Sequence, residues 1–468
     1  MRPILLVLLL CLFTWELSAQ VTGTWYGVLE AGGQRLPLNV EITESAGELE
    51  GGLQSPAQHP ARIPMTTVVS KGDSLRFAIA AASLRFAGTV AGDSLVGTFH
   101  QGGFSTPLRL YRTKPSGYDE LVRPAEKAAR PQEPTDFPYK REDVRFTGGA
   151  DSVTLAGELT LPTNGDARAA LVLVSGSGPQ DRNEDLGPAI DHRPFLVLSD
   201  RLTRAGYAVL RYDDRGVGES TGDHASATSA DLAEDAAAAV VFLRKRLGNE
   251  APPVGIAGHS EGGMIGPLVA AREPGVDFLV LLAAPGLPID ELMAEQRRLT
   301  TGATPQDEPV LAAVTAYVRA HPAQDDATFR AGLRDTILTV IPTLPTSVRE
   351  SIEDDATFAD TYVSGLSGPW VRYFLAYDPA PTLARVTVPV LAINGEKDTQ
   401  VSPRNLDAVG EALEGAGNQD VTLRLMPGLN HLLQPAETGL PAEYGEITTT
   451  LDESVLQLVV DWLNQRFE

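Results

Sequence analysis

The sequence predicts an α/β domain with a mostly parallel sheet, interrupted by a helical cap and preceded by a small all-β domain. Three observations predict it. From about residue 139, short apolar runs of strand length alternate with helical periodicity. That is the pattern of right-handed crossovers and a sheet covered on both faces. Between about 285 and 375 the alternation stops and helical stretches take over. Residues 20–112 instead alternate polar and apolar side chains between glycine-aspartate turns, as an antiparallel meander does.

The chain opens on residues 1–19, which read as a signal peptide. Arg2 supplies a positive start, and residues 4–13 form an apolar core too short to span a membrane. Leu17, Ser18 and Ala19 offer a cleavage site before Gln20. The expectation is an exported protein, periplasmic or secreted, with no membrane span in the mature chain. A retained leader acting as an anchor is the alternative. The single cysteine, Cys11, lies inside this segment. The mature chain then uses neither disulfides nor a cysteine nucleophile. Net charge is -23. Such a field opposes phosphate backbones and anionic lipid, so no nucleic-acid partner is expected.

In residues 20–112 the string SLRFA occurs at 74–78 and again at 83–87, each reading as a half-buried strand. The segment reads as a small sheet or barrel with a binding or packing role. Residues 113–138 carry Pro115, Pro124, Pro131, Pro134 and Pro138 among charged residues, the composition of a linker. A short helix is expected at 119–129.

Residues 139–468 carry the α/β pattern. Strands are expected at 152–161, 169–175, 207–212, 253–257, 277–283, 388–393 and 421–426. Helices are expected at 193–205, 231–247, 260–272, 403–414 and 452–467. The cap contributes helices at 289–300, 309–321 and 326–339. Insertions of this kind usually lie over the C-terminal edge of a sheet, where ligands bind.

Gly258-His259-Ser260-Glu261-Gly262 is a G-x-S-x-G between a predicted strand and a predicted helix. That setting is a nucleophile elbow, and its small residues let the backbone turn tightly against its neighbours. A plain helix N-cap serine is the competing reading. A serine hydroxyl needs a base, and the base needs an acid to orient it. Of the seven histidines, His431 lies in a loop after the last predicted strand and before the last helix. His259 adjoins the serine but is expected to turn away from it. Asp398, in the loop after the strand at 388–393, is the expected acid, with Glu396 as rival. The order Ser260, Asp398, His431 is the one this architecture uses.

A developing oxyanion needs amide donors. One is the N–H of Glu261, next to the serine. The other is expected from the loop 176–181, at Ser177 or alternatively Gly178. Residues 212–220, with two aspartates and Arg215, either brace that loop through an arginine-carboxylate pair or form a solvated turn. No metal-binding pattern and no dinucleotide fingerprint occurs, so no cofactor is expected. Trp370, Tyr373 and Phe374 are candidate pocket walls, or packing within the cap.

Together the segments 175–182, 211–220, 258–263, 370–379, 389–403 and 427–431 resemble the α/β-hydrolase superfamily. More narrowly, the chain resembles bacterial exported carboxylesterases with a β-rich N-terminal domain. The resemblance implies a nucleophile at Ser260, an acid at Asp398, a base at His431 and a helical cap. It departs from many relatives at Ser175, where a histidine often precedes the oxyanion glycine. The expectation is a serine hydrolase that cleaves small carboxylic esters through an acyl-enzyme. A peptidase or amidase on the same residues, and a noncatalytic ligand-binding protein, are the alternatives.

Overall fold

A computed structural model describes residues 21–31, 34–45, 48–57, 62–79, 84–101, 104–122, 130–149, 153–187, 190–248, 250–272, 275–302, 309–349, 352 and 354–467. The expected signal peptide and Cys11 lie outside the described residues. Two compact units divide the chain. The first holds residues 1–127, 187–189 and 325–367, and the second holds the remainder.

In the first unit nine strands, β1 (Gly23–Ala31), β2 (Gln34–Ser45), β3 (Glu48–Gln54), β4 (Ile63–Pro64), β5 (Thr67–Lys71), β6 (Ser74–Ile79), β7 (Leu84–Ala91), β8 (Ser94–Gln101) and β9 (Phe104–Tyr111), form one antiparallel sheet in the order β4-β3-β2-β1-β9-β8-β7-β6-β5. The segment carrying β4 (Ile63–Pro64) and β5 (Thr67–Lys71) joins both edges. Met65 N–H donates to Gly51 O at 2.8 Å and Thr66 N–H to Ala78 O at 2.7 Å. The corner at residues 65 and 66 is thereby bonded to both β3 and β6. The two SLRFA strings fall on β6 (Ser74–Ile79) and β7 (Leu84–Ala91), where leucine and phenylalanine are buried and arginine is exposed. Phe77 stacks on Phe86 with centroids 5.0 Å apart. With buried Trp25, Ile42, Leu95 and Phe99 they fill the interior. The helices Asp326–Val340 and Asp355–Leu366 also belong to this unit. Of the expected linker helix, Tyr118–Val122 is helical. Residues 123–129 lie outside the described residues.

The second unit contains an eight-stranded sheet in the order β10-β11-β13-β12-β14-β15-β16-β17. β10 (Lys140–Gly148) and β11 (Val153–Leu161) are antiparallel. The rest, from β13 (Ala208–Tyr212) through β12 (Ala170–Val174), β14 (Val254–His259), β15 (Phe278–Leu282) and β16 (Val390–Gly395) to β17 (Val421–Met426), run parallel. Every residue of β12, β13, β14, β15 and β16 is buried. That explains why these strands read as continuous apolar runs and not as alternating ones. Helices Pro194–Arg204 and Glu453–Phe467 cover one face with Phe195, Leu198, Val459 and Trp462. Ser229–Leu247, Glu261–Ala270 and Arg404–Gly415 cover the other with Ala236, Leu243, Leu268 and Val409. The alanine-rich helix starts on a capping box, in which Asp231 Oδ2 accepts Thr228 N–H at 2.7 Å.

Candidate active site

Parallel strands end together, so their loops gather at one rim. One row of the register runs His259, Leu282, Ile393, Arg424 across β14, β15, β16 and β17. Ser260 is the next residue after that row on its strand. Asp398 lies five residues past Ile393, and His431 seven residues past Arg424.

Ser260 has φ 53 and ψ -117, a left-handed conformation that a side chain rarely adopts. The turn is crowded. A Cβ on Gly262 would stand 2.0 Å from Val174 O, and one on Gly258 would stand 2.0 Å from Gly262 O. Ser260 N–H donates to Leu282 O at 2.9 Å, which pins the turn to the neighbouring strand. The helix begins at Glu261, and the Ser260 side chain makes no capping hydrogen bond. The hydroxyl is left to face His431.

His431 Nε2 lies 3.2 Å from Ser260 Oγ, and His431 Nδ1 lies 2.8 Å from Asp398 Oδ2. A carboxylate only accepts, so Nδ1 carries a proton, and in the neutral ring Nε2 is then the nitrogen whose lone pair faces the serine. Asp398 is buried, and its other oxygen accepts the Gln400 and Val401 N–H groups, each at 2.8 Å. The His431 loop is braced by Asn430, whose Oδ1 accepts Gln434 N–H at 2.9 Å. The rival acid Glu396 is exposed and accepts Gly428 N–H at 2.9 Å instead. His321 bonds the carbonyl of Tyr317 within its own helix region.

The loop after β12 runs alongside the serine. A Cβ on Gly176 would stand 3.2 Å from Ser260 Cβ. Gly176 N–H is taken by Glu184 Oε1 at 2.7 Å, and Ser177 is exposed. The loop is tied down by carboxylates from the segment after β13. Gln180 N–H donates to Asp214 Oδ2 at 3.0 Å, and Arg182 Nη2 to Asp213 Oδ2 at 2.7 Å. The bracing expected from residues 212–220 is therefore present, but its arginine is Arg182. Arg215 pairs with Asp235 at 2.7 Å. Burial would raise the Asp213 carboxyl, but hydrogen bonds from Arg182 and from the Glu219 amide outweigh it and hold the group below its ordinary range. Asp214 lacks such a cation. Burial pushes it up to about 8, aided by the charges of Glu261 and Glu184.

Glu261 follows the serine, and its side chain is buried. Its Oε1 accepts Ser229 Oγ–H at 2.5 Å and Trp370 Nε1–H at 2.9 Å. Trp370 is half-buried and stacks on buried Phe374 with centroids 4.6 Å apart. Tyr373 is half-buried and stacks on Tyr377. So Trp370 reaches the elbow through Glu261, while Phe374 is its packing partner.

Sequence reasoning passed over Glu184. Among the described residues five that are not glycine have positive φ: Glu184, Asp191, Ser260, Ala283 and Leu433. Strain of this sort collects at functional sites. His259 turns away from Ser260 Oγ, as expected, but its ring meets two other loops of the site. Nδ1 lies 2.8 Å from Glu184 Oε1 and Nε2 lies 3.1 Å from the carbonyl oxygen of His431.

A family model described as serine aminopeptidase, S33 matches residues 193–342. Esterase EstD of Thermotoga maritima is 26% identical over 326 residues, spanning 69% of this chain and 68% of that protein. Among solved structures, the Pyrococcus furiosus esterase Pf2001 is similar at 17% identity and a TM-score of 0.42, over 72% of this chain and 94% of that one. The α/β hydrolase GrgF from Penicillium sp. sh18 is similar at 18% identity and a TM-score of 0.42, over 70% of this chain and 99% of that one.

Proposed function

We propose that this α/β-hydrolase chain, with its β-rich N-terminal unit, is a carboxylesterase-type serine hydrolase that cleaves small carboxylic esters through an acyl-enzyme. One observation carries the reading: the hydrogen-bonded run from Ser260 Oγ through His431 to buried Asp398. Likeness to Esterase EstD supports the ester as substrate class.

Ser260 Oγ attacks the acyl carbonyl carbon as its proton passes to His431 Nε2. The carbonyl π pair moves to oxygen, and Asp398 stabilises the imidazolium. The Glu261 amide opens a helix, so no earlier helical carbonyl claims it. It and the Ser177 amide are the proposed donors to the oxyanion. Because the Gly176 amide is occupied by Glu184, the next amide of the loop is the better donor. Collapse of the intermediate expels the alcohol, which takes the proton from Nε2. Water then repeats the attack, giving its proton to His431. The acid departs and Ser260 regains its hydrogen. Trp370 is proposed to border the acyl pocket, with Tyr373 and Phe374 supporting it.

Ser260→Ala abolishes turnover of p-nitrophenyl acetate while leaving the melting temperature unchanged; a variant that still hydrolyses the ester refutes the assignment. Amide hydrolysis on the same residues is the second reading, favoured by the S33 description of the matching family model. Paired ester and amide substrates separate the two. Export, argued from residues 1–19, is part of the proposal, and N-terminal sequencing of the mature protein checks it.

A further inference from the structure

One buried imidazole has no part in that chemistry. His259 sits between Gly258 and Ser260, and both of its ring nitrogens meet oxygens. Nε2 faces the carbonyl oxygen of His431 at 3.1 Å. A backbone carbonyl can only accept, so Nε2 carries a proton. Nδ1 faces Glu184 Oε1 at 2.8 Å, and that same oxygen accepts the Gly176 N–H at 2.7 Å. Glu184 holds a φ of 56, which only firm tethering maintains in a residue with a side chain.

We propose that His259 is held as an imidazolium and that, with the Glu184 carboxylate, it forms a positioning pair for the acyl-transfer site. Through Nδ1 and Glu184 it fixes the backbone of the loop that is to donate to the oxyanion. Through Nε2 it fixes the backbone of the base. Both are thereby referred to the nucleophile's own turn. The proposal rests on the acyl-transfer reading of Ser260 and His431.

The surroundings favour charge at this position. A small cavity beside the pair is walled by Phe195, Leu198, Leu282 and Leu433, so little water screens the attraction. Burial by itself lowers the His259 pKa. The charge and hydrogen bond of Glu184, the His431 carbonyl and the charge of Asp398 outweigh burial and raise it above the ordinary 6.5. The titratable groups facing the ring are Glu184 after β12, His192 ahead of the helix Pro194–Arg204, Asp398 after β16 and His431 after β17. Of these, His192 opposes the charge only when protonated, and burial disfavours that form.

The test uses the full chain with nitrogen-15-labelled histidine. At pH 7 the wild type should show both ring nitrogens of His259 protonated, and Glu184→Gln should abolish that signature. On p-nitrophenyl acetate, Glu184→Gln and His259→Gln should lower kcat on the order of 10- to 100-fold, the scale of loss from slight misplacement of reacting groups. KM should change little. The wild type should lose kcat as pH rises through the raised pKa of His259, and His259→Gln should lack that limb. A neutral His259 ring at pH 7 in the wild type overturns the inference, whatever the variants do. So do variants with wild-type kcat and the wild-type alkaline limb. Labelling of Ser260 by a fluorophosphonate probe separates the two levels. A wild type that is not labelled sinks the acyl-transfer reading, whereas a labelled Ser260 beside a neutral His259 sinks this inference alone.

Discussion

The indole of Trp370 donates to the carboxylate of Glu261 at 2.9 Å, across 109 positions of sequence. The residue that follows Ser260 therefore has two attachments: its amide begins a helix, and its side chain holds the Trp370 indole. Ser229 Oγ–H shares the same oxygen.

Trp370→Phe tests that attachment. Phenylalanine keeps the stack on Phe374 and removes only the donor. Loss of a hydrogen bond to a buried carboxylate costs about 1–2 kcal/mol. Expected is a fall in kcat/KM of about tenfold, larger for esters with long acyl groups than for acetate. Equal losses across a graded series of acyl chains would argue against a pocket role.

Asp398→Asn tests the tautomer. An amide at this position can turn its NH2 toward His431 Nδ1, which then accepts, leaving the proton on Nε2 against Ser260. Such a reversal lowers kcat on the order of 1,000- to 10,000-fold. Steady-state kinetics on p-nitrophenyl acetate measure it, and a drop of only a few-fold would assign the acid elsewhere.

His192 should contribute to acid sensitivity. Its Nε2–H donates to Thr450 O at 2.8 Å, and burial is the main cause that pushes its pKa down to about 4. The folded value lies below the unfolded one, so protonation favours unfolding. The stability it contributes is present above about 6.5 and is lost as pH falls through 4. The full loss is about 3–4 kcal/mol at 1.4 kcal/mol per pKa unit. His192→Gln can keep the bond to Thr450 and should flatten the decline in melting temperature between pH 6.5 and 4.

Asp214 acts in the opposite direction. Its folded pKa, pushed up to about 8, stands above the unfolded value near 4. The protonated form favours folding. Its contribution is fully present below pH 4 and lost as pH rises through 8. Asp214→Asn can still accept from Gln180 N–H and donate to Ser175 Oγ. The melting temperature of this variant should gain on the wild type from pH 5 to about pH 8 and level off above it. A constant difference would show that Asp214 does not titrate in that range.

Much of this site was legible because strand ends have a sequence signature. Ser260 and Asp398 each follow a buried apolar run, His431 follows the partly exposed strand β17, and short loops at parallel strand ends leave few places to go. Glu184 had no such signal. Its value lies in a loop that folds back on Gly176, and nothing in spacing alone reveals that curvature. Arg182 was missed for a similar reason. The pattern around Asp213 and Arg215 suggested a pair, but the partner came from a different loop. The tie between Glu261 and Trp370 joins segments with no periodic relation. In the fold, the helices at 289–301, 309–320 and 326–340 followed their apolar spacing. The helix Asp355–Leu366 was overlooked. It opens on acidic residues and buries only Ala359 and Val363, too thin a stripe to stand out.

The crowding at Gly258 and Gly262 ties reactivity to architecture. The unusual backbone at Ser260 survives because Val174 and Leu282, on flanking strands, leave it nowhere to relax. Heat that loosens β12 or β15 should release that tension locally while most helices remain intact. Hydrolysis should then vanish some degrees below the loss of circular dichroism, so that catalytic competence works as a built-in gauge of how tightly the central strands are held.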